Sequence, residues 1–225
     1  MKTIALAMSL TVMGVAGAWS ADVIVDGGPA AFSVPEAAGS DGAFELKWDN
    51  GTRRWNIAWY TGAGSWVGND FDISTLGASW WIETIKVMSG ASWPNGRWDG
   101  FRLGVFTFSG GLPGSRLHGP RFVRGSGPGY RWCGFNFGMW EWALGAHKRF
   151  VVAVEQYYNY PDCDPFFVDD NPTFMGHSWQ YYGGRWRLFS QVQFLPYRNV
   201  MLRVIINDTI AVTPTSLGRV KALYY

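Results

Sequence analysis

The chain has 225 residues, with 19 basic and 17 acidic side chains and a formal charge of +2, so no strongly basic surface directs it to nucleic acid or an anionic membrane. Its 14 tryptophans, 10 tyrosines, 15 phenylalanines and 29 glycines favour strands, tight turns and aromatic surfaces over helices. The length suits one all-β domain.

Residues 1–18 have the form of a cleavable export signal: Lys2, an apolar run from Ile4 to Val15, then the small-x-small pattern Ala16-Gly17-Ala18. The run is shorter than the ~20 residues a spanning helix needs. No cysteine stands near the cleavage pattern to take a lipid. Residues 19–43, rich in Gly, Ala, Pro and Asp without a sustained period, read as a flexible lead-in. The ordered domain is expected over 44–210, with a C-terminal tail at 211–225.

Within the domain, Phe44, Leu46 and Trp48 alternate with polar residues, Asp49-Asn50-Gly51 has turn chemistry, and Trp55, Ile57 and Trp59 alternate again. This pattern predicts a hairpin. Further strands are predicted near 67–73, 81–88, 101–108, 121–124, 130–137, 149–158, 177–182, 185–189 and 199–207, separated by turn-rich WPNGRWDG, SGGLPGS, GSGPG, YPDCDP and DDNP. The runs at 149–158 and 199–206 are apolar on both alternating faces, as in strands inside a two-layer structure. At most Met139 to Leu144 makes a helical turn. The expected fold is an antiparallel two-layer β-sandwich of jelly-roll type, with another Greek-key sandwich or a barrel as alternatives.

WDGFRLGVFTFSGGLPGSRL (98–117), RFVVAVEQYY (149–158) and GHSWQYYGGRW (176–186) resemble the jelly-roll modules of large secreted bacterial proteins. Such modules sit beside peptidase or glycosidase domains or ahead of C-terminal sorting domains, and few have an assigned activity. PTSLGRVKALYY (214–225) looks like the junction before a sorting segment. The resemblance implies an exported accessory module, secreted or at the cell surface.

Cys133 and Cys163 are the only cysteines, and an even count in an exported chain points to one disulfide. Closing a loop of about thirty residues, it would stabilise by roughly 3–4 kcal/mol. Asp162, Asp164, Asp169 and Asp170, around turn-forming prolines, either cap Asx turns or hold a structural calcium, an ion that secreted jelly-roll modules often carry. The missing D-x-[DN]-x-[DN]-G spacing weighs for turns. No other cofactor is implied.

His177 and Ser178 are neighbours in sequence, but strand alternation sends them to opposite faces, so they are not a nucleophile and its base. Glu83 and Glu155 are the acids that could line a cleft, yet neither has a second acid matched to it across a sugar site. Arg185 and Arg187 read as a solvated strand face or as partners for nearby rings. Trp48, Trp55, Trp59, Trp81 and Trp132 read as interior.

Of a wider aromatic set that includes Tyr157, Tyr182 and Trp186, the residues expected to bind a ligand are Trp93, Trp98, Tyr158, Tyr160, Trp179 and Tyr181. A planar ring gives a sugar an apolar face, and short polar groups beside it fix the hydroxyls. The expected function is therefore a non-catalytic module that binds a polysaccharide or cell-surface glycan. The alternatives are a structural or protein-interaction domain with no small ligand, and an enzyme of the glycoside hydrolase type.

Overall fold

A computed structural model describes residues 23–27, 43–76, 80–90, 100–124, 130–138, 141–169, 176–192 and 198–208. The leader, most of the lead-in, the 211–225 tail, Trp93, Trp98 and Asp170 lie outside the described residues. In chain order the strands are β1 (Val23–Gly27), β2 (Ala43–Leu46), β3 (Arg53–Trp59), β4 (Trp66–Asp72), β5 (Trp80–Ser89), β6 (Phe101–Ser109), β7 (Leu112–Val123), β8 (Arg131–Asn136), β9 (Arg149–Glu155), β10 (Phe166–Asp169), β11 (Ser178–Tyr182), β12 (Arg185–Leu188) and β13 (Leu202–Asp208). The helical content of the described residues is one 3-10 turn, Phe189–Gln191. No described helix is long and apolar enough to cross a membrane.

The fold is an all-β sandwich of antiparallel sheets. One layer has six strands in the order β12-β11-β4-β9-β6-β7. The other combines β2-β13-β5-β8 with β1-β3-β10. Residues 199–201 join these two groups: Val168 bridges to Val200, Met201 N donates to the Phe167 carbonyl, and Met88 N donates to the Met201 carbonyl. The segment leading into β13 thus pairs with β10, and β13 itself pairs with β2.

Alternation decides what fills the space between layers. Along β9, Phe150, Val152 and Val154 join the main core with Ile57, Phe71, Leu103, Phe166 and Val204. Val151 and Ala153 turn to the opposite face and join a separate cluster with Trp66 and Phe106. In β5 a register shift against β13 lets both Ile82 and Ile85 face the core, three positions apart, which strict period two forbids. Gly68 sits where β4 and β9 come closest: a Cβ there would lie 2.2 Å from the Val152 carbonyl oxygen and 2.6 Å from Ala153 Cβ. Gly68→Ala is therefore expected to cost about 1–3 kcal/mol in chemical denaturation; an unchanged midpoint would show that the two strands separate freely.

Sequence expectations need correction at the 44–59 hairpin, the disulfide and the interior placing of Trp81 and Trp132. The 44–59 hairpin does not form, because β2 pairs with β13 whereas β3 pairs with β1 and β10. Asp49 and Asn50 instead make successive Asx turns, accepting from Gly51 N and Thr52 N, and Gly51 has φ 85°. The Asp49 carboxylate is also clamped by Arg203 of β13, so the turn works as a corner between strand groups. A strand, β1, also lies within the stretch read as lead-in, paired along β3.

The disulfide is absent. Cys133 and Cys163 are buried thiols. Cys163 packs with Ala58 of β3 and Tyr160, whereas Cys133 is on β8 at the far edge of that layer, with β10, β13 and β5 between. Strand spacings of about 4.8 Å put the two well beyond the ~7 Å limit between bridged Cα atoms. Burial, with Asp164 and Asp162 adding to it, pushes the Cys163 thiol up to about 12, so it is inert.

The tryptophans expected inside also divide. Trp59 is fully buried, and Trp48 and Trp55 pack partly against the core. Trp81 is only partly buried, and Trp132 lies in a small cluster with Met88, Phe167 and Met201, under the Arg203 guanidinium at 4.2 Å.

Candidate functional site

The outer face of the six-stranded sheet differs from an ordinary solvated strand face. Following the register across it gives one residue from every strand: Trp186 of β12 opposite Tyr181 of β11, Tyr181 opposite Trp66 of β4, Trp66 opposite Glu155 of β9, Glu155 opposite Arg102 of β6, and Arg102 opposite Phe122 of β7. Four aromatic rings thus flank a central ion pair in a row about 24 Å long, at roughly 4.8 Å per strand. No described strand covers it.

Ring contacts hold the row in place. Trp66 meets Phe106 edge-on at 5.1 Å, Phe106 meets Trp186 at 5.2 Å, and Tyr181 lies 5.3 Å from Trp186. Trp66 also extends over Gly104, where a Cβ would come within 2.9 Å of the ring. At the other end Phe122 meets Tyr157 at 5.3 Å, and the Arg102 guanidinium sits 4.6 Å over Tyr157. Such aromatic contacts are worth about 0.5–1.5 kcal/mol each beyond burial, so the rings are pre-set.

At the centre, Arg102 Nη2 lies 2.9 Å from Glu155 Oε1. Glu155 is 5 % exposed, and burial raises its carboxyl above the ordinary value although Arg102 and Arg116 pull it down. Arg102 Nε is buried with no partner. The Arg102 side chain as a whole is 33 % exposed, so the rest of its guanidinium keeps donors beside the rings.

Four residues along β4 from Trp66 lies a second polar centre. Asp70 is 1 % exposed, and its carboxylate accepts from Trp179 Nε1 at 2.8 Å and Arg149 Nη2 at 3.0 Å, with His177 Nδ1 at 3.1 Å. Trp48 Nε1 donates to the Asp70 carbonyl at 2.7 Å, and the Trp48 ring stacks on His177 at 3.7 Å. Asp70 is thus consumed by structure.

The loop after β9 adds exposed rings. Gln156 is buried; its Oε1 accepts from Trp59 N, and its Nε2 donates to the Trp59 and Tyr158 carbonyls. That clamp fixes residues 156–160 against the end of β3. Tyr60 and Tyr158 are left exposed, with Tyr160 edge-on to Tyr60 at 5.1 Å and Tyr158 edge-on to Tyr157 at 4.6 Å.

Set against the expected residues, Tyr181 stands in this row and Tyr158 beside it, whereas Tyr160 packs against Ala58 and Cys163 of the other layer. Trp179 shares its face but is 3 % exposed, with its indole N–H on Asp70 and Phe108 edge-on at 5.6 Å. His177 and Ser178 do diverge: Ser178 points inward, donating to Asn69 Oδ1 at 2.7 Å and accepting from Val200 N at 3.0 Å. Glu83 accepts from Asn207 Nδ2. Trp66, Arg102 and Phe122 were missed because only pairing register brings them together.

Of the described loop acids, Asp164 and Asp169 serve separate backbone groups. Asp164 Oδ2 accepts from Gly100 N at 2.6 Å, while buried Asp169 accepts from Asn50 N, Asn199 N and Asn199 Nδ2. Burial raises Asp169 above the ordinary carboxylate value in spite of those donors. Among the described residues no group of three His, Cys, Asp or Glu is placed to hold a metal ion.

No protein-family model and no curated protein matches the chain. Among solved structures, the chain resembles one comprising the cysteine protease and lectin-like domains of Cwp84, a surface-layer-associated protein of Clostridium difficile, with TM-score 0.55 and 11% identity over 77% of this chain and 37% of that one. A clostridial Cwp84 cysteine protease after propeptide cleavage is similar to it at TM-score 0.54 and 10% identity, over 77% of this chain and 42% of that one. The chain therefore spans less than half of either protein, and at these identities the likeness is one of fold.

Proposed function

We propose that this chain is a non-catalytic binding module of a secreted or cell-surface protein, and that it holds a glycan chain along the outer face of its six-stranded sheet. The cross-sheet row from Trp186 to Phe122 carries this reading. It presents the rings of Trp186, Tyr181 and Phe122, packed on a Trp66 that is 6 % exposed, with the partly exposed Arg102 guanidinium between them to fix hydroxyls. Exposed Tyr158, edge-on to the Tyr157 that meets Phe122, extends the surface at that end. The fold likeness to proteins that include a lectin-like domain supports the same class.

The carboxylates on this face favour binding over hydrolysis. Glu155 pairs with Trp66, and Asp70 stands four residues further along β4. That separation is about 13 Å along the strand, whereas inverting and retaining glycosidases need carboxyls roughly 5–9.5 Å apart. Asp70 is also saturated by its own donors.

The test is retention on immobilised polysaccharides or a glycan array with the mature chain, Phe122→Ala and Trp186→Ala. Each variant is expected to bind roughly tenfold more weakly, from loss of one stacking ring worth about 1 kcal/mol or more. Retention unchanged in both variants, or absent for the parent on every glycan, would sink the reading.

A further inference from the structure

The β11–β12 hairpin carries a second surface. Its turn, Gly183-Gly184, has φ of 61° and 81°, the paired positive values that a tight two-residue turn requires. The alternation that sends Tyr181 and Trp186 outward sends Gln180, Tyr182, Arg185 and Arg187 to the opposite face, with Gln180 opposite Arg187 and Tyr182 opposite Arg185. Because β12 is the edge strand, this face opens to solvent at the hairpin: Arg185 is exposed and Arg187 partly so.

Tyr182, Gly183, Gly184, Arg185 and Arg187 line an open depression of about 300 Å³. Arg102, Arg121, Arg149 and Arg203 are each ion-paired. Among the described residues, the side chains of Arg185 and Arg187 have no hydrogen-bond or ion-pair partner. Next to them Gln180 is 1 % exposed, and both of its side-chain polar atoms are buried without a partner. Two like charges on one side of a strand, about 7 Å apart, repel each other unless an anion lies between them.

We propose that Arg185 and Arg187 form an oxyanion site, for a carboxylate or phosphate group carried by an acidic polymer. Guanidinium forks suit both groups, since each presents paired oxygens to parallel N–H donors. The Tyr182 ring supplies an apolar wall, and its hydroxyl is held 3.2 Å from Thr61 Oγ1. The site is on the opposite face of the hairpin from Trp186, so it does not depend on the aromatic row.

The test is an NMR titration of the Gly183, Gly184, Arg185 and Arg187 amides with glucuronate, with inorganic phosphate, and with neutral glucose. Saturable shifts are expected with at least one anion and none with glucose, and the tighter anion identifies the source of the group. The double substitution Arg185→Gln with Arg187→Gln is expected to weaken that binding roughly tenfold, as is raised salt, while amide shifts elsewhere show the variant folded. Trp186→Ala should keep the anion affinity, whatever it does to glycan retention. No saturable shift with either anion, an unchanged affinity in the double variant, or loss of anion binding in Trp186→Ala would overturn the assignment.

Discussion

Asp70→Ala is expected to destabilise the domain by about 3 kcal/mol, read as a fall in the urea midpoint at neutral pH. The carboxylate is 1 % exposed and ties β4 to Trp179 of β11, to His177 just before that strand, and to Arg149 of β9. Its removal leaves the Trp179 indole N–H buried without an acceptor. Arg149 and His177 keep side-chain exposures of 42% and 26%, so they regain water, and the loss stays at the lower end for a broken buried pair. Asp70→Asn, which keeps an acceptor for the indole, should lose less.

The same group sets an acid dependence. Burial pushes Asp70 up, but the donors His177, Trp179 and Arg149 outweigh it and hold the carboxyl below its ordinary 3.8. A carboxylate depressed in the folded state contributes stability that is present above its unfolded pKa and is lost as pH falls through its folded one. The gap between parent and Asp70→Ala should therefore narrow below about pH 4. Glu155 and Asp169 act in the opposite sense: both are raised by burial, so their contribution improves as pH falls through their folded values. A gap that stays constant from neutral pH to pH 2 would contradict the assignment of Asp70 as an ionised acceptor.

Phe150→Ala is expected to cost about 3–5 kcal/mol. Phe150 is fully buried near the start of β9, paired with β4 on one side and β6 on the other, with its ring 5.9 Å from Phe71. Truncation leaves a cavity bounded by sheet backbone on both sides, which cannot collapse. Val151, one residue on, faces the outer cluster instead, so Val151→Ala should cost clearly less. Equal losses at the two positions in chemical denaturation would mean that the sandwich interior is not where the alternation of β9 places it.

Several local features were legible because they obey rules of a few residues. The neighbouring strands predicted at 177–182 and 185–189 do form, at Ser178–Tyr182 and Arg185–Leu188, around a Gly183-Gly184 turn whose paired positive φ values are a local property of those glycines. The divergence of His177 and Ser178 followed from the strand period. The 44–59 segment misled because Asp-Asn-Gly serves equally for a hairpin and for a corner, and Arg203, some 150 positions away, decides between them. Strand β10 was missed: its four residues fall between YPDCDP and DDNP, whose turn chemistry hides a short apolar run.

By itself the sequence determined the all-β class, most strand positions and which residues share a strand face, since composition, turn residues and period two are local physics. The tertiary structure alone decided which faces meet. Pairing register across five strand junctions assembles Trp186, Tyr181, Trp66, Glu155, Arg102 and Phe122 into one row, and strand order keeps Cys133 away from Cys163. Those arrangements rest on hydrogen bonds and packing between residues far apart in the chain, and a one-residue slip in any of them would send the row to different faces.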